Sequence, residues 1–98
     1  MSATAFHFWS PTCAPCKAIK ASIDDLKDEF STIDWVSVNT QDDTQSLAEK
    51  YNVKVVPTIV VVCYDGNKVE TFRESHVGTG IAGYYRILRS GLRATKQS

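Results

Sequence analysis

A chain of 98 residues supports one compact domain with a single core, burying roughly 60–65% of its unfolded surface without metal or disulfide staples. Eleven basic residues balance eleven acidic ones, and apolar and charged shares of 43% and 22% are ordinary for a soluble chain, so no nucleic-acid or membrane partner is indicated. No apolar stretch approaches the roughly 20 residues of a spanning helix, the first residues lack the pattern of a secretion signal, and three cysteines are too few and odd in number for a disulfide framework. A single cytoplasmic domain over residues 1–98 is therefore expected, with at least one unpaired thiol.

Ala3 to Trp9 is short and aromatic and runs into Ser10-Pro11, which reads as a strand closed by a residue that cannot donate to a ladder. Ile19, Ile23, Leu26 and Phe30 then recur at helical spacing, predicting one helix from Ala14 to Phe30; Pro15 fits its first turn, where no N–H is needed. Ile33 to Asn39 predicts a second strand, and Thr44 to Asn52 a short helix ending at Asn52 in the left-handed conformation. Pro57 to Tyr64 is a near-continuous β-branched run, as for a strand buried on both faces at the centre of a sheet. Asp65-Gly66-Asn67 predicts a hairpin turn into an antiparallel strand from Lys68 to Glu74. Ile81, Tyr84, Tyr85, Leu88 and Leu92 mark a last amphipathic helix after Gly78 and Gly80, and residues 93–98 read as a flexible tail. The order strand, helix, strand, helix, strand, strand, helix is that of an α/β protein.

Cys13-Ala14-Pro15-Cys16 falls between the first strand and the helix after it. Unpaired N–H groups and partial positive charge at a helix start favour an anion, so the Cys13 thiolate is stabilised there and Cys13 is the expected nucleophile. Cys16, one turn on, is turned inward yet near enough to close a disulfide, which suits a thiol that attacks second. Lys17 adds positive charge. Two buried structural thiols or half a zinc site are the competing readings, but zinc wants four ligands and no second C-x-x-C or H-x-x-x-H exists. Cys63 reads as a small buried hydrophobe, Thr12 as a helix cap, His76 as solvated, and Trp35, Tyr84 and Tyr85 as packing residues.

With "FHFWSPTCAPCK" and Val56-Pro57-Thr58 at this separation, the chain resembles the thioredoxin family, from about Ala3 to Leu92. Trp9, Cys13, Pro15, Cys16 and Lys17 match its dithiol turn, and Leu47 to Thr58, Gly66 and Gly78 fall where the family has them. The resemblance implies a βαβαββα fold with a four-stranded mixed sheet flanked by helices, lacking the usual leading strand and helix. It also implies a cis peptide before Pro57 facing the dithiol, and a substrate surface of Thr12, Ala14, Pro15, Val56, Pro57 and Gly78. Thr12 stands where the family has tryptophan, and Ala14 where it has glycine. His7 replaces a buried aspartate, and Ser37 aligns with the lysine that accompanies it. His7 is accordingly a third candidate catalytic residue, as the base that deprotonates Cys16. With the leading strand absent, Ile33 to Asn39 would be an uncovered edge, Asp34 discouraging pairing there, and a monomer or weak dimer is expected.

The implied activity is thiol-disulfide exchange reducing disulfide-containing protein substrates through a redox-active Cys13–Cys16 disulfide, serving electron transport and cell redox homeostasis. No bound cofactor or metal is expected, and a thioredoxin reductase or the glutathione system would supply electrons. The alternatives are a glutaredoxin-like glutathione-dependent reductase, which has this shorter core but commonly Pro-Tyr between its cysteines, and a non-catalytic binding module of the same fold.

Overall fold

The structure, a computed structural model, describes residues 2–95. Its sheet has four strands in the order β2-β1-β3-β4. Here β1 is Ser2–Trp9, β2 Asp34–Asn39, β3 Thr58–Tyr64 and β4 Glu70–Val77. β1 runs parallel to β2 and antiparallel to β3, while β3 and β4 form an antiparallel hairpin. The sheet is therefore mixed, with β2 at one edge.

Strand alternation divides the core in two. Ala3 and Ala5 of β1 and Ile59, Val61 and Cys63 of β3 face α1 (Ala14–Ala18), α2 (Lys20–Glu29) and α4 (Ile81–Thr95), packing with Ile23, Leu26, Phe30, Tyr84, Ile87 and Leu88. Phe8, Val38, Val60 and Val62 face the opposite side, where Tyr51 covers them just after the single-turn helix α3 (Leu47–Lys50). Because both faces of β3 are covered, every residue from Thr58 to Cys63 is buried, which explains the unbroken apolar run. Among the described residues, no helix is long and apolar enough to cross a membrane.

Several boundaries differ from the sequence reading. The helix expected from Ala14 to Phe30 is two helices, because Ile19 (φ −105°, ψ 4°) leaves helical geometry. The apolar period reads straight through the break, since Ile23 N–H still bonds the Ile19 carbonyl at 2.9 Å and both side chains stay on the core face. The second helix shrinks to Leu47–Lys50, preceded by a 3₁₀ turn at Thr40–Asp42. Its first amides are capped by the Asp43 carboxylate, which accepts from Leu47 and Ala48 N–H at 2.9 and 2.8 Å. Asn52 is left-handed (φ 56°), as expected.

The return strand begins at Glu70 rather than Lys68. Asp65 accepts the amides of Asn67 and Val69, and Lys68, not Gly66, takes the left-handed position (φ 61°). The tail expected from residue 93 is helical through Thr95: Ala94 packs on the core and the Thr95 hydroxyl donates to the Leu92 carbonyl at 2.7 Å. Residues 96–98 lie outside the described residues.

Candidate active site

The chain leaves β1 through a turn that hydrogen bonds hold in shape. Ser10 is buried, its carbonyl accepts Cys13 N–H at 3.1 Å, and its hydroxyl accepts Thr12 N–H at 3.3 Å. The Gln41 side-chain amide donates to the Ser10 and Thr12 hydroxyls at 3.1 and 2.8 Å. Thr12 is thus tied to Gln41, and the residue that caps α1 is Cys13 itself, whose Sγ accepts Cys16 N–H at 3.1 Å. An amide aimed at that sulfur stabilises negative charge on it, which favours a reactive thiolate.

Cys13 and Cys16 form a disulfide with a Cα separation of 5.2 Å. Their environments differ: Cys13 is half-buried at the surface, whereas Cys16 is only 8% exposed. The first can meet another protein's sulfur. The second is nearly enclosed by the fold and borders the cavity behind the pair. Thr12, Ala14, Pro15 and Lys17 are exposed around them.

In front of the pair lies the loop entering β3. The Val56–Pro57 peptide is cis, and the Val56 carbonyl oxygen lies 3.8 Å from Cys13 Sγ. The Pro57 carbonyl accepts Gly78 N–H at 3.0 Å, joining the loops at the two ends of the β3–β4 hairpin; Gly78 (φ 108°) holds a conformation that side chains disfavour. Beneath both loops, the fully buried Tyr84 aims its hydroxyl at the Pro57 carbonyl (3.1 Å) and at the Gly78 carbonyl. Burial pushes the phenol pKa up to about 12, outweighing the opposite influence of the Gly78 bond, so the hydroxyl remains a donor. His76, expected to be solvated, instead packs edge-on against Tyr84 with ring centroids 4.9 Å apart. It can do so because a Cβ at position 83, where Gly83 stands, would overlap its imidazole. Val55 and Val77, 58% and 51% exposed, border these loops with apolar surface.

Behind the pair is a cavity of about 450 Å³ whose lining includes Cys16, His7, Trp9, Lys17, Lys27 and Ser37. His7 and Ser37 are partners in the β1–β2 register, and the Ser37 hydroxyl accepts the Trp9 indole N–H at 2.7 Å. His7 lies on the α1–α2 face of the sheet, and its Nε2 is buried without a hydrogen-bond partner among the described residues. Its pKa is lowered to about 4, first by burial and then by the Lys27 ammonium, with Asp24 opposing. The imidazole is therefore neutral at pH 7.

The third thiol, Cys63, is unpaired and fully buried near the Gly91 carbonyl, and burial raises its pKa. Among the described residues, no group of three or more His, Cys, Asp or Glu is placed to hold a metal ion. Sequence reasoning assigned no role to Gln41, Lys27 or the Tyr84 hydroxyl. For Tyr84 a signal existed, since an inward tyrosine needs a partner for its hydroxyl; for Gln41, 29 residues from Thr12, there was none.

The thioredoxin family profile matches residues 2–85. The chain is 34% identical over 65 residues to thioredoxin of Pyropia yezoensis and to thioredoxin 1 of Synechococcus elongatus, matches that cover 65% of this chain and 59% of each relative. Thioredoxin of Mycoplasma genitalium is 43% identical over 54 residues, covering 55% of this chain and 52% of that protein. The chain thus spans little more than half the length of these curated relatives. In structure it resembles Malassezia sympodialis thioredoxin, with a TM-score of 0.74, 18% identity, and 92% and 77% of the two chains covered. Reduced Schistosoma mansoni thioredoxin pre-protein gives a TM-score of 0.73 at 25% identity, covering 91% and 78%.

Proposed function

The chain belongs to the thioredoxin family, and from that membership and its dithiol geometry we propose that it is a thiol-disulfide oxidoreductase that reduces protein disulfides. The observation that carries the reading is the asymmetry of the pair: a half-exposed Cys13 whose sulfur accepts the Cys16 amide, beside a buried Cys16. In the reduced state the Cys13 thiolate attacks one sulfur of a substrate disulfide, and the other sulfur leaves as a thiolate that takes up a proton. Cys16 then loses its proton and attacks Cys13 Sγ. The Cys13–Cys16 disulfide closes, the second substrate sulfur leaves, and two electrons have passed to the substrate.

The substrate lies extended across Thr12, Ala14 and Pro15 and along Val56, Pro57 and Gly78, in the manner of an added strand, with Val55 and Val77 giving apolar contact. His7 takes the proton of Cys16. Neutral and in the same cavity, it is available as an acceptor, and the thiolate forming beside it raises its basicity as the proton moves. Trp9 and Lys17 support the pair, the first braced by Ser37 and the second adding positive charge. The dithiol itself carries the electrons, so no bound cofactor enters these steps.

A thioredoxin reductase is the proposed donor and the reducing cytoplasm the proposed setting, a reading supported by the unpaired Cys63. There the protein would serve electron transport and redox homeostasis as a monomer or weak dimer. Insulin reduction, run with thioredoxin reductase and in parallel with glutathione and its reductase, tests this. Turnover with the first donor is expected. Turnover with glutathione alone would make the protein glutaredoxin-like, and none with either would leave a binding module.

A further inference from the structure

The cavity behind Cys16 has more room and more charge than a proton transfer needs. Its volume of about 450 Å³ lies within the roughly 300–1,000 Å³ of small-molecule sites. Trp9 and Pro11 supply apolar wall, with the buried Ile23 behind them. Lys17, Lys20 and Lys27 bring three positive charges to it against the single carboxylate of Asp24, which is engaged with Lys20 at 3.2 Å. Lys27 is half-buried and has no carboxylate partner among the described residues. His7 lines the same cavity, and its Nε2 is buried without a hydrogen-bond partner among the described residues, whereas buried polar atoms as a rule find one.

We propose that this cavity is a binding site for a small organic anion, a carboxylate carried on a single aromatic ring, seated with its charge between Lys27 and His7. One carboxylate has acceptor sites enough for both: an oxygen for the Lys27 ammonium and an oxygen for an Nε2–H tautomer of His7. The ring replaces water against Trp9 and Pro11. A cation is repelled by the lysines, and an anion without an apolar body leaves those walls wet. Since Cys16 borders the cavity, an occupant shields the resolving thiol and slows mixed-disulfide release. That consequence rests on the proposed function; the binding itself does not.

The test uses the full chain in its disulfide form, so the outcome is independent of turnover. Benzoate, benzyl alcohol and acetate are titrated while the Trp9 indole and His7 imidazole resonances are followed by NMR. Saturable shifts at millimolar benzoate are expected, with affinity about tenfold weaker for benzyl alcohol and for benzoate on Lys27→Gln, the loss of roughly one charge-assisted hydrogen bond. Absence of saturable shifts, equal affinity for the alcohol, equal affinity for acetate, or an unchanged Lys27→Gln would each overturn the site. With the site occupied, release of a Cys13-linked mixed disulfide should slow several-fold; an unchanged rate would overturn its coupling to resolution.

Discussion

In front of the dithiol, the Val56–Pro57 loop and Gly78 are knitted together by the Gly78 amide and by a tyrosine hydroxyl from α4 beneath them. Behind it, Cys16 opens on a cavity lined by His7, whose buried Nε2 has no hydrogen-bond partner among the described residues, and by three lysines that share one acid. The difference suits the two half-reactions of the proposed exchange. In that exchange, attack by Cys13 on an outside disulfide would need a fixed template for the substrate chain, and the front is held in place by the Gly78 amide and the Tyr84 hydroxyl. Resolution by Cys16 would need a proton to leave a buried sulfur, and the back has an imidazole held neutral at pH 7 and space around it.

The comparison breaks most sharply at the cysteines. Cys13→Ser should abolish turnover, whereas Cys16→Ser should leave a protein that accumulates as a mixed disulfide through Cys13, seen by mass spectrometry under non-reducing conditions. Trapping through Cys16 in the Cys13→Ser variant would invert the roles assigned to front and back.

Next in size is His7. Its replacement by alanine should slow mixed-disulfide release by roughly 10²-fold, the lower end of general-base contributions, with Cys13 alkylation little changed. His7→Asp should recover part of the rate by supplying another proton acceptor. Stopped-flow traces in which His7→Ala resolves as fast as the parent from about pH 6 to 9 would reduce His7 to a packing residue.

The same imidazole sets a pH dependence of folding. Its pKa is about 4 in the fold against 6.5 in the unfolded chain, so between those values the unfolded state binds more protons. His7's contribution is therefore complete above pH 6.5 and is lost as pH falls toward 4, by about 2 kcal/mol once partial contact with solvent is discounted. Urea titrations at pH 7 and pH 4.5 should show that loss in the parent and a smaller one in His7→Asn.

The smallest effect probes the front. Tyr84→Phe removes the hydroxyl under Pro57 and Gly78, costing about 1 kcal/mol of stability. It should raise KM for a protein disulfide several-fold while kcat and Cys13 alkylation hold. A drop in kcat with KM unchanged would mean that Tyr84 supports the fold without positioning the loops.

Much of this was legible in advance where one local cause decides the outcome. The β-branched run after Pro57 could only be a strand covered on both sides, and Cys13 and Cys16 were separated into surface and interior by the turn of a helix. The break at Ile19 was invisible because it preserves the apolar period. His76 misled because its burial depends on a glycine seven residues away and on a tyrosine ring of another element.

By itself the sequence determined the order of elements, the position of the dithiol at a helix start and which thiol faces outward, because backbone propensity, side-chain period and helix-end electrostatics act within a few residues. Tertiary structure alone decided what stands on either side of that dithiol. Gln41 reaches Thr12 across 29 positions, Tyr84 reaches Pro57 across 27, and His7 comes to share a cavity with Cys16 and Lys27 only when the helices fold onto β1. Such contacts are set by how strands and helices pack, and no pattern of neighbouring residues encodes them.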